Sequence, residues 1–349
     1  YPHLAFAVAF IMLIFEQTWR GYVEGRLRPM VTAGLLALLL GWQHAYDLLM
    51  IYGVLGVFVL LVWWKQRAFP WRLVAGVALV ALLSCSGAVY SLILTTVDPL
   101  WEEVLAQFSN AGVYTPSPPH LVILFGLPLI LALVAVGRRC WRGRWREVDL
   151  LVLAWFLAGA VLIYAPADFQ IHMLNGWQVP MMVLAAQALY DWRPARSSHG
   201  GLIIAGGAGI GRRALLAFVA FAALTNVYLW TWRFVELRRH DYPYYLHRDE
   251  TAALAWLEEN APPDAVVFSS LTVGQYVPAL SGQTAFLAHW AQTARFYDKR
   301  ERVARFFDVQ ATDAERAETL VAFGVDYVIR GPAERALGAY DPARASWLT

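Results

Sequence analysis

The sequence predicts a polytopic α-helical membrane bundle of about eight transmembrane helices, followed by a small C-terminal α/β extracytoplasmic domain. Three observations support this fold class. Hydrophobic residues make up 59% of the 349 residues and charged residues only 15%, whereas soluble domains average roughly 45–50% and 25%. The apolar residues form long runs in 1–232, while 233–349 resembles a soluble domain. Basic residues before 233 recur in alternate loops. We therefore divide the chain into a transmembrane domain, 1–232, and an extracytoplasmic domain, 233–349.

The apolar runs come close to the length that a membrane crossing requires. A helix needs about 20 mostly apolar residues to cross a hydrocarbon layer roughly 30 Å thick. Eight stretches approach this length, namely 3–18, 30–44, 46–64, 73–96, 120–137, 148–165, 176–191 and 214–232. The second and third leave an alternative open, a helical hairpin that crosses only part of the bilayer. Because the chain is apolar from Leu4 onward and has no basic leader, we expect an N-terminal part to precede it.

The basic residues predict the orientation of the helices, because cytoplasmic loops collect Lys and Arg. Before residue 233 every Lys and Arg falls within four segments, 16–29, 65–72, 138–147 and 192–213. The intervening loops 97–119 and 166–175 contain acidic residues and neither Lys nor Arg. This alternation predicts eight crossings, with the four basic segments in the cytoplasm and the C-terminal domain outside.

The C-terminal domain shows alternating strand and helix patterns. Short β-branched or aromatic runs predict strands at 265–269, 284–288 and 325–329. Helical spacing predicts helices at 250–260, 293–308 and 312–323. We expect Asp249 to cap the first of these helices and Thr312 with Glu315 to form a capping box on the third. Strands that alternate with helices predict a mostly parallel sheet.

Several classes of protein are excluded by composition and motifs. Cys85 lies in an apolar run and Cys140 in an arginine-rich loop, so we expect no disulfide. The glycines of 206–211 lack the strand and the Lys-Ser/Thr of a nucleotide-binding loop, and we interpret them as a linker. The sequence has no zinc-type Cys/His spacing, GxSxG or HExxH motif. Nothing in the charge distribution suggests a nucleic-acid partner.

The segment LGWQHAYDLLMIYG carries polar residues within an apolar stretch. His44 and Asp47 are three residues apart and share a helix face, and Tyr46 lies between them. Ionisable groups in such segments are costly unless they pair or meet water. Two interpretations stay open, a mutually satisfied pair that locks the hairpin and a polar wall of a substrate cavity.

Three further groups of polar residues are predicted at the outer surface. Loop 97–119 contains Asp98 and Glu102, which either bind a divalent metal ion or act as a base, or are simply acidic because of topology. Loop 166–175 suggests hydrogen bonds to a sugar, or helix caps. Its polar residues, with one beyond it, are Asp168, Gln170, His172, Asn175 and Gln178. Arginines after the last helix bind a lipid phosphate or ordinary headgroups, and they include Arg233, Arg238 and Arg239.

Three segments resemble parts of bacterial integral membrane glycosyltransferases of the GT-C type. LGWQHAYDLLMIYGVLG resembles their HPYD-bearing helix, with Ala45 where Pro is usual. ADFQIHMLNGWQVPMMVLAAQAL is similar to their late outer loop, with the spacing of Gly176 and Pro180. The tail that begins AWLEENAPPDAVVF looks like the extracytoplasmic domain of several such proteins. The resemblance covers most of the chain.

The resemblance implies an inverting enzyme that moves a sugar from a polyprenyl-phosphate-linked donor to an acceptor at the outer face of the bacterial plasma membrane. In such enzymes a carboxylate acts as base on the acceptor hydroxyl, in some cases with a divalent metal ion as cofactor. Their principal base belongs to the first outer loop, so we expect it in the preceding N-terminal part. Where the family carries Arg after Gln170, this sequence has Ile171 and His172. The resemblance therefore implies that His172 or the arginines of 233–239 neutralise the phosphate.

Our hypothesis is an outward cavity whose walls come from these loops, covered by the domain that contains His289 and Trp290. The candidate substrate-binding residues are His44, Asp47, Asp98, Glu102, Asp168, Gln170, His172, Arg233, Arg238, Arg239 and His289. The partners are the lipid bilayer, the lipid-linked sugar and an acceptor that the sequence does not identify.

Two other classes stay open. A transporter or flippase of lipid-linked saccharide needs a polar path across the bilayer, yet the stretches 73–96 and 214–232 offer mainly Ser84, Ser86 and Asn226. A non-catalytic membrane scaffold would use the outer domain to bind partners.

Overall fold

The computed structural model describes residues 2–107, 114–143, 145–167, 169–191 and 209–348. Most of them are helical. The chain divides into two compact units, Tyr1–Asp98 with Ser109–Ala222, and Pro99–Phe108 with Ala223–Thr349. The second unit therefore includes a segment of the loop after residue 97. Gly206 and Gly207 of the predicted linker lie outside the described residues, and a helix begins at Gly209.

Each of the eight predicted apolar stretches is helical. The helices up to residue 239 are α1 (Pro2–Glu24), α2 (Leu27–Gln43), α3 (Asp47–Gln66), α4 (Trp71–Val97), α5 (Pro99–Ala106), α6 (Pro118–Arg142), α7 (Glu147–Leu162), α8 (Gln178–Asp191) and α9 (Gly209–Arg239). Within the described residues α1, α3, α4 and α6 are long and apolar enough to cross a membrane, and α2 is a shorter apolar helix. These helices make the chain a multi-pass membrane protein.

In the first unit α2 and α4 lie side by side and run in the same direction. The Met30 side chain sits against Gly76, where an added Cβ would lie 2.8 Å from the Met30 Cε. Farther along, a Cβ on Gly87 would lie 2.6 Å from the carbonyl carbon of Gly41. The spacing from Met30 to Gly41 in α2 equals the spacing from Gly76 to Gly87 in α4, so the two helices run parallel without a shift. Small residues allow such close backbone approach between membrane helices, so α2 occupies the same depth as α4.

Hydrogen bonds connect the ends of three helices in the first unit. The Gln66 amide at the end of α3 donates to the Tyr22 hydroxyl of α1 at 2.8 Å and approaches the Glu147 carboxylate of α7 at 3.4 Å. All three residues belong to segments that the sequence predicts on one side of the membrane. The structure thus brings 16–29, 65–72 and 138–147 together at one end of the first unit.

The second unit contains a parallel three-stranded sheet of order β2-β1-β3, which confirms the predicted parallel arrangement. Its elements after residue 239 are α10 (Arg248–Asn260), β1 (Val266–Phe268), α11 (Leu271–Gly274), α12 (Val277–Leu280), β2 (Thr284–Ala285), α13 (Phe296–Phe307), α14 (Asp313–Ala322), β3 (Tyr327–Val328) and α15 (Pro332–Leu337). Val267 packs in one core cluster with Leu254 and Leu257 of α10, and Phe268 in another with Phe306 of α13. The alternating residues of β1 therefore serve opposite faces of the sheet.

One predicted helix cap is confirmed and another is wrong. Thr312 and Glu315 form the predicted capping box, because the Glu315 N–H donates to the Thr312 hydroxyl and the Thr312 N–H to the Glu315 carboxylate. Asp249 lies inside α10 and does not cap it. Glu250 instead accepts the backbone N–H of His247 at 2.8 Å. The buried Glu250 carboxylate, which accepts several hydrogen bonds, stabilises the folded domain more than the exposed Asp249 carboxylate would.

The short helix α5 packs within the second unit. It contacts the 3-10 turn Trp290–Gln292. The Gln107 Oε1 after α5 accepts the backbone N–H of Phe296 at 2.7 Å, at the first turn of α13. Since the first N–H groups of a helix have no partner inside the helix, the glutamine fills one of these positions. The loop that follows α4 is thus built into the C-terminal α/β unit.

The α2–α4 packing predicts opposite effects for one substitution at two glycines. Replacement of Gly by Ala in a helix gains about 1 kcal/mol from propensity alone. At Gly56 no atom lies within 4 Å of an added Cβ, so we expect Gly56→Ala to hold or raise stability. At Gly87 the same methyl meets the Gly41 backbone, and we expect a loss of about 1–3 kcal/mol.

Thermal unfolding of the full chain in lipid nanodiscs measures the difference. A Gly87→Ala protein that unfolds at or above the temperature of the Gly56→Ala protein would contradict the α2–α4 packing.

Candidate functional site

A polar cluster lies where α2 gives way to α3, in the first unit. Its residues are His44, Tyr46, Asp47, His172 and Asn175. The first three form the turn between the helices, where His44 ends α2 and Asp47 begins α3. The other two belong to a 3-10 turn, Gln170–Leu174, and its C-cap, between α7 and α8. Residues 128 positions apart in sequence thus meet.

Asp47 is the fully buried residue at the centre of the polar cluster. It is 0% exposed, and its two carboxylate oxygens lie 3.3 and 3.2 Å from the Asn175 Nδ2 that donates to them. The His44 Nδ1 lies 3.4 Å from the Asp47 Oδ2. An acidic residue in the first turn of a helix is also favoured by the helix dipole. The two predicted residues His44 and Asp47 therefore lie in contact, and Asn175 joins them.

Aromatic contacts surround this pair. The Tyr46 hydroxyl lies 2.8 Å from the His44 Nδ1. Its ring stacks on His172, with centroids 4.5 Å apart and planes at 27°. The His3 ring of α1 lies 5.3 Å from that of His44. The polar cluster therefore has two layers, with His44 and Asp47 buried beneath the half-buried Tyr46, His172 and Asn175.

The outer layer keeps unused hydrogen-bonding capacity. Among the described residues, neither ring nitrogen of His172 and not the Asn175 Oδ1 has a hydrogen-bond partner. Burial, and secondarily the charge of His3, lowers the pKa of the His172 imidazole below its usual 6.5. The ring is therefore neutral at pH 7 and offers one donor and one acceptor rather than a charge. It is suited to a hydroxyl more than to neutralising a phosphate.

Gln170 makes hydrogen bonds within the protein. Its Nε2 donates to the Ala165 carbonyl at 2.8 Å, and its Oε1 accepts the Thr115 backbone N–H at 3.4 Å. The Thr115 hydroxyl in turn donates to the Ile163 carbonyl at 2.5 Å. These bonds tie the loop after α7 to the segment before α6. Gln170 thus stabilises the loop that carries His172.

The remaining candidate residues that the structure describes lie outside the polar cluster. Asp98 ends α4, and Asp168 lies outside the described residues. Glu102 is exposed on α5, in the second unit. His289, also in the second unit, accepts the Ala291 N–H with its Nδ1 at 3.3 Å and so begins a 3-10 turn.

The three arginines occupy the last turns of α9. The Arg233 guanidinium donates to Glu236 at 2.7 Å and to the Tyr244 hydroxyl. Arg239 lies over the Trp232 ring at 5.2 Å. Arg238 makes no hydrogen bond or ion pair with any described residue. Two of the three guanidinium groups are therefore already engaged.

No metal-binding group of three or more His, Cys, Asp or Glu occurs in the described part of the chain. Asp47 is committed to Asn175 and His44, and its carboxylate is covered. The described residues therefore do not fit a divalent metal ion, and we assign no step to one.

The candidate substrate-binding residues predicted from the sequence do not include Tyr46, Asn175 or His3. Tyr46 could have been found, because it shares the HAYD turn with His44 and Asp47. Asn175 sits one 3-10 turn after His172, which puts both on the same loop. Nothing in the sequence links His3 to His44.

One comparison with known proteins gives a match. The model of a family described as "Family of unknown function (DUF6541)" matches residues 171–348, just over half of the chain. The match begins next to His172 and includes the C-terminal α/β domain. No curated protein matches the chain significantly.

The burial of Asp47 predicts a large effect at Asn175. Asn175→Leu removes the amide that donates to a fully buried carboxylate, and an unsatisfied buried charged group costs about 3 kcal/mol or more. Tyr52→Phe is the control. It removes one neutral hydrogen bond, 2.8 Å long, to Ser84 between α3 and α4, and we expect a cost of about 1 kcal/mol.

Chemical unfolding of the full chain in mixed micelles gives both values. Equal losses for the two variants would mean that Asn175 does not hold Asp47 in place.

Proposed function

Because this chain belongs to the DUF6541 family, whose function is unknown, we propose its function from the polar cluster. The protein is a membrane glycosyltransferase that moves a sugar from a polyprenyl-phosphate-linked donor to an acceptor at the outer face of the membrane. The observation that carries this proposal is the unused hydrogen-bonding capacity of His172 and Asn175 above a buried carboxylate. Polar groups at a membrane bundle are costly unless they pair, meet water or serve a ligand.

A sugar matches the groups that the polar cluster presents. The Asn175 Oδ1 accepts from a hydroxyl, and the neutral His172 both donates and accepts. Tyr46 supplies an aromatic ring beside them, stacked on His172. Asp47 acts as a positioning residue, because it holds the Asn175 amide in one orientation through two contacts. A lipid phosphate would use a guanidinium, and that of Arg238 in α9 makes no hydrogen bond, ion pair or ring contact with any described residue.

The transfer itself exchanges two bonds at the anomeric carbon. The acceptor hydroxyl oxygen forms a bond to that carbon and loses its proton to a base, while the bond to the phosphate oxygen breaks and the polyprenyl phosphate leaves with the electron pair. The hydrogen bonds of His172 and Asn175 orient the sugar for this displacement.

We propose eight crossings in a bacterial plasma membrane, with the C-terminal domain outside. α2 supports this count, since it follows α4 at the same depth from Met30 to Gly41. α5 supports it independently, because α5 and the C-terminal domain share one unit and four helices, α6 to α9, lie between them in sequence. An even number of crossings returns the chain to the side it left. The basic segments then lie in the cytoplasm.

A transporter is disfavoured by the interior of the first unit. Apart from the polar cluster and Asp149 near the start of α7, the buried polar side chains described there are Thr18 and Ser84. Thr18 donates to the Ile14 carbonyl, and Ser84 to the Val80 carbonyl and Tyr52. Because both hydroxyls are hydrogen-bonded inside the bundle, neither is available to a polar solute that crosses the membrane. The hairpin-locking interpretation retains support, since His44 and Asp47 are buried and paired.

A transfer assay tests the proposal. The full chain in nanodiscs is supplied with a panel of polyprenyl-phosphate-linked hexoses and pentoses as donors and with a panel of methyl glycosides as acceptors, and released polyprenyl phosphate is measured by mass spectrometry. We expect release with at least one donor. We expect His172→Ala and Asn175→Ala to lower the rate about tenfold each, the loss of roughly 1.4 kcal/mol of transition-state binding.

The control for this assay is Tyr52→Phe, which alters a buried hydrogen bond away from the polar cluster and should keep the wild-type rate. His172→Gln should recover part of the loss, because it restores a donor and an acceptor. The proposal is wrong if no donor is consumed, or if the alanine variants react as fast as the wild type.

The orientation predicts a specific labelling pattern in intact cells. Cys140 is exposed at the end of α6 and serves as the cytoplasmic reference. Glu102→Cys on α5 and Arg344→Cys, whose native side chain is 87% exposed, place thiols in the second unit of a Cys85→Ala protein. We expect a membrane-impermeant maleimide to label 102 and 344 directly, and 140 only after permeabilisation. Labelling of 102 and 344 from opposite sides would contradict the arrangement.

A further inference from the structure

A pocket of about 440 Å³ lies in the second unit between α10 and β3. We call it the α10–β3 pocket. Its wall from α10 contributes Asp249 and Trp256, its wall from β3 contributes Tyr327, and Arg330 and Arg335 lie at the end where β3 leads into α15. Ligand pockets in proteins commonly have volumes of roughly 300–1,000 Å³.

Two aromatic rings form the floor of this pocket. Trp256 is 53% exposed. Its ring meets that of Tyr327 edge to face, with centroids 6.0 Å apart and planes at 71°. The edge-to-face contact packs the indole against Tyr327, and about half of the Trp256 side chain stays exposed. A flat apolar surface of this kind suits the C–H face of a pyranose ring, whose hydroxyls then point sideways.

The charged groups of the pocket divide into engaged and available ones. Arg330 donates to the Tyr340 carbonyl at 2.9 Å and pairs with Asp341 at 3.4 Å. Glu250 is buried, accepting from the backbone N–H groups of His247 and Ala333 and from the Tyr242 hydroxyl. Among the described residues, the Asp249 carboxylate and the Arg335 guanidinium make no ion pair or side-chain hydrogen bond.

The charges of Asp249 and Arg335 cancel, so the pocket favours an uncharged ligand. One carboxylate and one guanidinium favour neither an anion nor a cation, but together they accept from and donate to several hydroxyl groups. An extended peptide would need an edge strand to pair with, and β3 has only two residues, whereas ordinary strands have about 3–10. A neutral polyol with one apolar face fits all three observations.

We infer that the α10–β3 pocket binds a neutral saccharide, with Trp256 against its C–H face and Asp249 and Arg335 on its hydroxyls. The role of that saccharide as the acceptor of the transfer rests on the proposed function. The binding itself does not, because it depends only on residues of the second unit.

Saturation-transfer NMR on the full chain in lipid nanodiscs tests the inference. The probes are methyl glycosides of glucose, galactose, mannose, arabinose and N-acetylglucosamine, and glycoside detergents are avoided because they would compete. We expect at least one probe to receive saturation from the protein at millimolar concentration. We expect Trp256→Ala and Asp249→Asn to weaken its apparent affinity about tenfold or more.

Tyr297→Ala is the matched control, since Tyr297 is an exposed aromatic residue of the same unit, 51% accessible, that does not line the pocket. It should bind the probe as the wild type does. Asp249→Asn keeps the shape of the side chain, so its result stands even if Trp256→Ala fails to fold, as circular dichroism would reveal.

The outcomes separate this inference from the proposed function. If no glycoside binds, or if both pocket variants bind as tightly as the wild type, the pocket is not a saccharide site, whatever the transfer assay gives. Binding of inorganic phosphate that Arg335→Ala abolishes, without binding of any glycoside, would also overturn it. Glycoside binding without any transfer activity would instead support the pocket as a saccharide site and contradict the proposed transferase function.

Discussion

The burial of one carboxylate organises the first unit. Asp47 begins a helix of membrane-spanning length and has no access to solvent. A charged group in that position is tolerated only when other groups replace its water. Asn175 and His44 do so, which forces the α2–α3 turn and the loop after α7 to meet. The placement of His172 beside Tyr46 follows from that meeting, and with it the hydrogen-bonding groups that match a sugar.

The second unit satisfies its buried carboxylates in a comparable way. Glu334 is fully buried and accepts the backbone N–H groups of Ser270 and Gly331, both at 2.8 Å. These groups lie just beyond the carboxyl ends of β1 and β3, where many α/β proteins hold a phosphate on helix N-termini. Here a side chain already occupies that position. A nucleotide would have to displace it, and the open pocket lies instead beside β3, where the available charges are balanced.

α5 links a loop between membrane helices to the C-terminal domain. The sequence gives it no signal beyond a short amphipathic run, PLWEEVLA, yet it packs on that domain through Gln107 and the turn at 290–292. A loop between two membrane helices is thereby tied to a domain more than a hundred residues away. Because α5 and the C-terminal domain pack together, both must lie on the same side of the membrane. This packing constrains the topology more strongly than loop charge alone.

The sequence by itself determined the elements whose signal is local. Apolar length predicted the helices, because a hydrocarbon layer sets a minimum span, and short β-branched or aromatic runs predicted the three strands near Val267, Ala285 and Val328. The Thr312–Glu315 capping box needed only neighbouring residues. The tertiary structure alone decided what depends on distant pairs. The burial of Asp47 against Asn175 and the position of His3 beside His44 follow from packing between helices, and no local pattern encodes the partner. The predicted N-cap of α10 is wrong for the same reason. The N-cap is His247, whose N–H donates to Glu250, and Glu250 is held by Tyr242 and Ala333, which approach only in the folded domain.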